Sequence, residues 1–197
     1  MRRPSTGPDP EGPARRRSPA APLVTDIGQG EGAQAIPAAR QTGFPPVIDA
    51  GCETLILGSF PGAASLAAGH YYAHPRNQFW PILEQCLGER LTRLDFGERY
   101  RTLLRHRIAL WDVIDDCVRP GSLDADIRDA RPNEPARVMD AAPRLRRILF
   151  NGRTAARHSA FFDRAGVVIH VLPSTSPAHA GMPFARKLEA WSRALSA

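Results

Sequence analysis

The chain has no aromatic residue before Phe44 and only one lysine, Lys187, among its 197 residues. The first absence leaves prolines, glycines and alanines recurring without period, too little apolar area to offset the entropy of ordering that segment. Residues 1–44 therefore read as a disordered Pro/Gly/Arg-rich tail, and residues 45–197 as one domain of ordinary size. Arg2, Arg3 and Arg15 to Arg17 are followed by no apolar core of a signal peptide. Asp9, Glu11, Asp26 and Glu31 argue against a transit peptide, so the cytoplasm is the expected location. No apolar stretch is long enough to span a bilayer. Cys52, Cys86 and Cys117 are widely spaced, show no CxxC pairing and are too few for a four-cysteine site. They read as free thiols in a reducing compartment, and neither a metal nor a cofactor is indicated. With lysine nearly missing, the net charge of +6 comes from arginine. Arginines 76, 119, 128, 131, 144, 146, 147, 153 and 157 lie in or beside proposed loops and helix starts, placed either to meet phosphates or to form a solvated basic surface.

Four short apolar runs, 54–57, 108–113, 147–150 and 167–172, have the composition of buried strands. Helical patterns over 77–87, 96–105, 134–142, 152–164 and 184–195 alternate with them. Alternation implies parallel pairing and right-handed crossovers, hence an α/β domain of three α/β/α layers with a central four-stranded, mainly parallel sheet. GSFPG follows the first strand, Asp112 and Asp115-Asp116 interrupt the second, Asn151-Gly152 follow the third and LPSTSPAHAG the fourth. Parallel strands bring all four ends to one edge of the sheet, where open α/β folds bind ligands. The predicted site is thus composite: residues 58–72, Asp112, Asn151 and residues 174–179.

These segments resemble the uracil-DNA glycosylase superfamily over most of residues 54–192. GSFPG is similar to the family's first motif, a glycine-and-proline loop after the first strand. YAHPRNQFW resembles the FAHPxNRFW segment of the mismatch-specific branch, and LPSTSPA the second motif, usually HPS or NPS. Together with Ser65, LWDV, GSLDADI and FNG, they look most like the hypoxanthine-DNA glycosylase branch. The resemblance implies a monofunctional enzyme that flips and excises hypoxanthine from double- or single-stranded DNA; a monomer is the default expectation, with no cofactor. Alternatives are a uracil or broad deaminated-base glycosylase, or a non-catalytic DNA-binding module of the same fold.

Such an enzyme cannot reach the bond between C1′ and the base inside a stacked duplex, so the nucleotide must be extruded and held. The resemblance implies Tyr72 as the platform that stacks on the base; the alternative packs Tyr71 and Tyr72 inside the domain. Phe60 stands where related enzymes place an Asp or Asn to position water, a task a phenyl ring cannot perform. Asn77 is the candidate replacement, with capping of the following helix as a rival or additional role. His74 either donates to a phosphate or the leaving base, or braces the loop. Gly58, Ser59 and Phe60 offer backbone groups to the base, and Asp112, an acceptor when ionised, suits the N1–H of hypoxanthine unless it is a cap or loop brace. Asn151 either lines the pocket or caps a helix. Ser65, Ser174, Thr175 and Ser176 are candidates for the flanking phosphates. Leu172 and Ser176 depart from the uracil enzymes' leaving-oxygen and intercalating residues, leaving Pro177 or Met182 as the wedge. Trp80, Trp111 and Trp191 read as packing residues.

Overall fold

The computed structural model describes residues 39–121, 123–163 and 166–196. In chain order the elements are β1 (Arg40–Thr42), β2 (Thr54–Gly58), α1 (Ala63–Ala68), α2 (Phe79–Leu87), α3 (Phe96–Arg105) and β3 (Ile108–Asp112). They continue with β4 (Ile114–Val118), β5 (Arg128–Pro132), α4 (Ala136–Ala141), β6 (Arg147–Asn151), α5 (Arg153–Ala156), β7 (Val168–Leu172) and α6 (Phe184–Ser196).

The main sheet has four strands in the order β3-β2-β6-β7, all parallel. Leu55, Ile56 and Leu57 are fully buried, as are Ile148, Leu149 and Phe150 beside them. Central parallel strands are covered on both faces, which is why these runs are continuously apolar rather than alternating. The edge strand β7 leaves Val168 and Val171 more than half exposed. Trp80, Trp111 and Trp191 are buried, each with its indole N–H donating to a backbone carbonyl, of Tyr71, Phe44 and Pro173 respectively. The three cysteines are free. Among the described residues no helix is long and apolar enough to cross a membrane.

A second sheet, antiparallel and ordered β1-β4-β5, was not foreseen. Its strands are RQT, IDDCV and RDARP; β1 and β5 are polar and largely exposed, and in β4 two adjacent aspartates break the apolar pattern although Ile114 and Cys117 are buried. The two aspartates read as interrupting the second strand instead begin its continuation: after Val113 the chain leaves the parallel ladder and enters β4. Asp116 is buried there because Arg40 and, at 3.6 Å, Arg131 pair with it. Arg40–Thr42 falls within the stretch assigned to the tail, so ordered structure begins before residue 45. The rest of that assignment, residues 1–38, lies outside the described residues.

One clamp joins the sheet to the helices at the strands' carboxyl ends. Asn151, ending β6, donates through Nδ2 to Thr175 Oγ1 and accepts through Oδ1 from the Thr175 N–H, both at 2.9 Å. The Thr175 carbonyl accepts from the Gln78 N–H at 3.0 Å, tying the same point to the start of α2. Asn151 thus serves as a cross-brace and not as the helix cap considered from sequence; Gly152 precedes α5 with no side-chain cap. Thr175→Val keeps the shape but orphans the buried Asn151 Nδ2, which is expected to cost about 1–3 kcal/mol. Urea denaturation measures this, and an unchanged midpoint would show that the amide does not depend on the hydroxyl.

Candidate active site

The strand order turns back between β2 and β6, and in such sheets the crevice opens at the carboxyl ends of the strands beside that reversal. Here the register aligns Gly58 with Asp112 and Asn151 with Leu172, so four strand ends finish level with one another. Above them lies a cavity of about 370 Å3. Its wall gathers all twelve residues singled out from sequence: Gly58, Ser59, Phe60 and Ser65; Tyr72, His74 and Asn77; Asp112; Asn151; and Ser174, Thr175 and Ser176. Pro177 also lies on it, whereas Met182 lines a separate groove along α6.

At the floor, Gly58 is required by crowding. A Cβ there would stand 2.2 Å from Asp112 Oδ1 and 2.8 Å from the Tyr72 hydroxyl, closer than any side chain tolerates. Asp112 is 3 % exposed, and neither its Oδ2 nor the Tyr72 hydroxyl has a hydrogen-bond partner among the described residues. Among the described residues no hydrogen bond from the Asp112 side chain supports a cap or brace role. Burial, reinforced by the negative charge of Asp124 and opposed by Arg119, pushes the Asp112 carboxyl up to about 7. Burial, and then the Asp112 charge, raises the Tyr72 phenol far above its usual range, so it stays a neutral hydroxyl. Unpartnered buried polar atoms cost about 1–3 kcal/mol each, and in a cavity wall they are groups held ready for a ligand.

Tyr72 combines both expectations for it. Its ring stacks on buried Phe79 with centroids 3.8 Å apart and planes 21° from parallel, while the residue also lines the cavity. A left-handed backbone at φ 54°, unusual for a tyrosine, holds it there.

The loop leading into α2 carries the polar chemistry. Asn77 Oδ1 accepts from the Phe79 N–H at 3.0 Å, which supplies the capping role, and leaves a second lone pair and the Nδ2 hydrogens for the cavity. His74 Nδ1 accepts from the Arg76 N–H at 3.0 Å. The neutral ring therefore carries its proton on Nε2, the nitrogen left to donate.

Two phosphate candidates take other places. Thr175 is fully buried with its N–H and hydroxyl oxygen committed to Asn151, and Ser65, 5 % exposed, accepts from the Ala73 N–H at 3.1 Å to brace the turn. Ser174 and Ser176 each accept one backbone N–H at 3.2 Å and keep their own hydroxyl protons to donate. Of the arginines, Arg76 is exposed at the cavity, but Arg146 pairs with Glu53 at the strands' amino ends and Arg147 caps α6 through the carbonyls of Ala194 and Leu195. Arg119 is buried. Sequence reasoning assigned no role to Asp124, whose Oδ2 accepts from Ser59 Oγ at 2.7 Å on the cavity wall. Its only signal was the GSLDADI segment, which has no periodicity to mark a site.

This architecture matches known proteins closely. A solution NMR structure from Methanosarcina acetivorans, described as a candidate uracil DNA glycosylase, superposes with a TM-score of 0.70 at 35% identity, covering 81% of this chain and all of that one. A protein of Methanosarcina barkeri named hypoxanthine DNA glycosylase is 37% identical over 79% of this chain and 98% of its own length. One of the same name from M. acetivorans is 39% identical over 70% and 87%. The model of the uracil DNA glycosylase superfamily matches residues 45–195, the span that supplies the four parallel strands and every wall residue of the cavity. With fold, family model and relatives in agreement over the same residues, the chain belongs to the uracil DNA glycosylase superfamily.

Proposed function

We propose that this chain is a monofunctional DNA glycosylase that extrudes deoxyinosine from DNA and hydrolyses its N-glycosidic bond, releasing hypoxanthine and starting repair of deaminated adenine. The cytoplasmic location and monomeric state expected from sequence go with this reading. The observation that carries it is Asp112, a buried carboxyl with an unpartnered oxygen at the cavity floor. Ionised, it accepts the N1–H of hypoxanthine and repels adenine, whose N1 is itself an acceptor. The two Methanosarcina proteins named for this activity support the choice.

In this reading the flipped base lies against Tyr72, which Phe79 backs, while a backbone N–H of the 58–62 loop meets O6. Asn77 orients a water toward C1′; the water oxygen bonds to the sugar as the bond to the base breaks, and the water's proton neutralises the departing base. The hydroxyls of Ser174 and Ser176 donate to the flanking phosphates.

A duplex carrying one deoxyinosine is expected to acquire an alkali-labile site on incubation with the protein, and intact strands opposite every partner base would sink the assignment. A parallel duplex carrying deoxyuridine separates hypoxanthine preference from broad deaminated-base excision. Asn77→Ala is expected to lower turnover about 100-fold or more with little change in DNA affinity; turnover near wild type would remove Asn77 from the chemistry.

The reading also fixes the sign of a pH dependence. The accepting carboxylate forms as pH rises through about 7, so kcat/KM on inosine DNA should climb across that value, and Asp112→Asn should flatten the rise and lose about tenfold above it. Stability runs the other way. A native pKa above the unfolded value favours folding at low pH and is lost as pH rises toward about 7, so Asp112→Asn should melt higher than wild type at pH about 8, the gap closing toward about 4. A profile that falls through 7, or no gap in melting, contradicts the assignment.

A further inference from the structure

Arg119 follows β4 and is 1 % exposed, an unusual burial for an arginine. Its guanidinium sits 5.0 Å from the centroid of the Phe60 ring. Nη2 donates to the Pro61 carbonyl at 2.6 Å and to Gln41 Oε1 at 3.3 Å, while Nε and Nη1 are buried without partners. No salt bridge neutralises it among the described residues. Such a cation is expensive to bury, and its surroundings give the compensation: a ring face beneath it, a carbonyl in front, and two carboxyls on the cavity side of the same loop. One of them, Asp124, is bonded to Ser59, the residue before Phe60. The other is Asp112.

We propose that Arg119 is a positioning residue for the cavity: seated on Phe60 and bonded to the Pro61 carbonyl, it fixes the loop after β2 and supplies the buried positive charge that offsets Asp112. The inference rests on the function proposed above and gives Phe60 a purpose. The phenyl ring that cannot position water is the seat of the cation. Holding the Pro61 carbonyl toward Arg119 also restrains the peptide planes of the 58–62 loop, which lines the cavity.

The groups around Asp112 make this testable. Tyr71 and Tyr72 face it from the loop after α1, Asp124 from the β4–β5 loop, His74 lines the same cavity, and Arg119 is the cation that acts on it. Both tyrosines are neutral and Asp124 opposes ionisation, so removing Arg119 takes away the buried cation that favours the carboxylate and leaves exposed Arg76 as the cation on the cavity wall among the described residues. In Arg119→Gln the midpoint of the pH rise in kcat/KM on inosine DNA should move up by about one unit. In Arg119→Lys, which keeps the charge but not the planar fork, the midpoint should stay at the wild-type pH while kcat falls about tenfold. Far-UV circular dichroism and binding to undamaged DNA report whether each variant is folded.

An Arg119→Gln midpoint equal to wild type overturns the proposal. If that variant does not fold, Arg119→Lys decides alone: a displaced midpoint, or full turnover, overturns it, and an unmoved midpoint with reduced kcat supports it. Wild-type protein without inosine excision would instead sink the function reading, whereas active wild type with an insensitive Arg119→Gln sinks only this inference.

Discussion

The site depends on the clamp at Thr175. This one residue, with no exposed surface, spends its N–H and hydroxyl on Asn151 at the end of β6 and its carbonyl on Gln78 at the head of α2. Three segments distant in sequence meet there: the sheet, the loop after β7 with its serines, and the loop carrying His74 and Asn77. Buried hydrogen bonds in a water-poor site have no alternative partners, so their geometry is held more firmly than any surface contact. Catalysis by positioning needs that firmness, because a group displaced by about an ångström loses most of its effect.

Around this anchor the cavity is electrostatically unbalanced by design. Asp112 Oδ2 and the Tyr72 hydroxyl are buried beside Gly58 with no hydrogen-bond partner among the described residues. Their desolvation cost is carried by the apolar sheet beneath, in which Leu55, Ile56, Leu57 and Trp111 are fully buried. A ligand that brings an N–H to the Asp112 carboxylate recovers part of that cost, so burial is able to serve selectivity as well as being a burden.

Much of the fold was legible because parallel strands must be apolar on both faces, and TLILG and RILFN advertise this directly. α3 was equally clear, with Asp95 heading it by accepting from the Glu98 N–H. The antiparallel sheet was hidden because β1 and β5 are short, polar and largely exposed and because Asp116 of β4 is buried only through its pairing with Arg40 and Arg131, and no sequence period records a long-range ion pair. At the site, residue identity was readable but division of labour was not. Thr175 and Ser174 are neighbours in one motif, yet one is a buried brace and the other a half-buried hydroxyl at the cavity. Arg119 was misplaced for a related reason, since an arginine in sequence signals surface and only the Phe60 ring reveals why this one is inside.

The passage from β3 into β4 has a consequence for how such a protein diversifies. Asp112 ends β3 and Arg119 follows β4, with only Val113 between the two strands, and each strand is hydrogen-bonded into a different sheet. Carboxyl and cation are therefore each tied to a strand, and the Arg119 guanidinium is held further by the Pro61 carbonyl and the Phe60 ring. Change in the loop that follows, where Leu123 is 53% exposed at the cavity rim, reshapes the entrance while the floor keeps its spacing. The rim and the floor of the cavity are thereby separable, so a lineage is able to alter one without rebuilding the other.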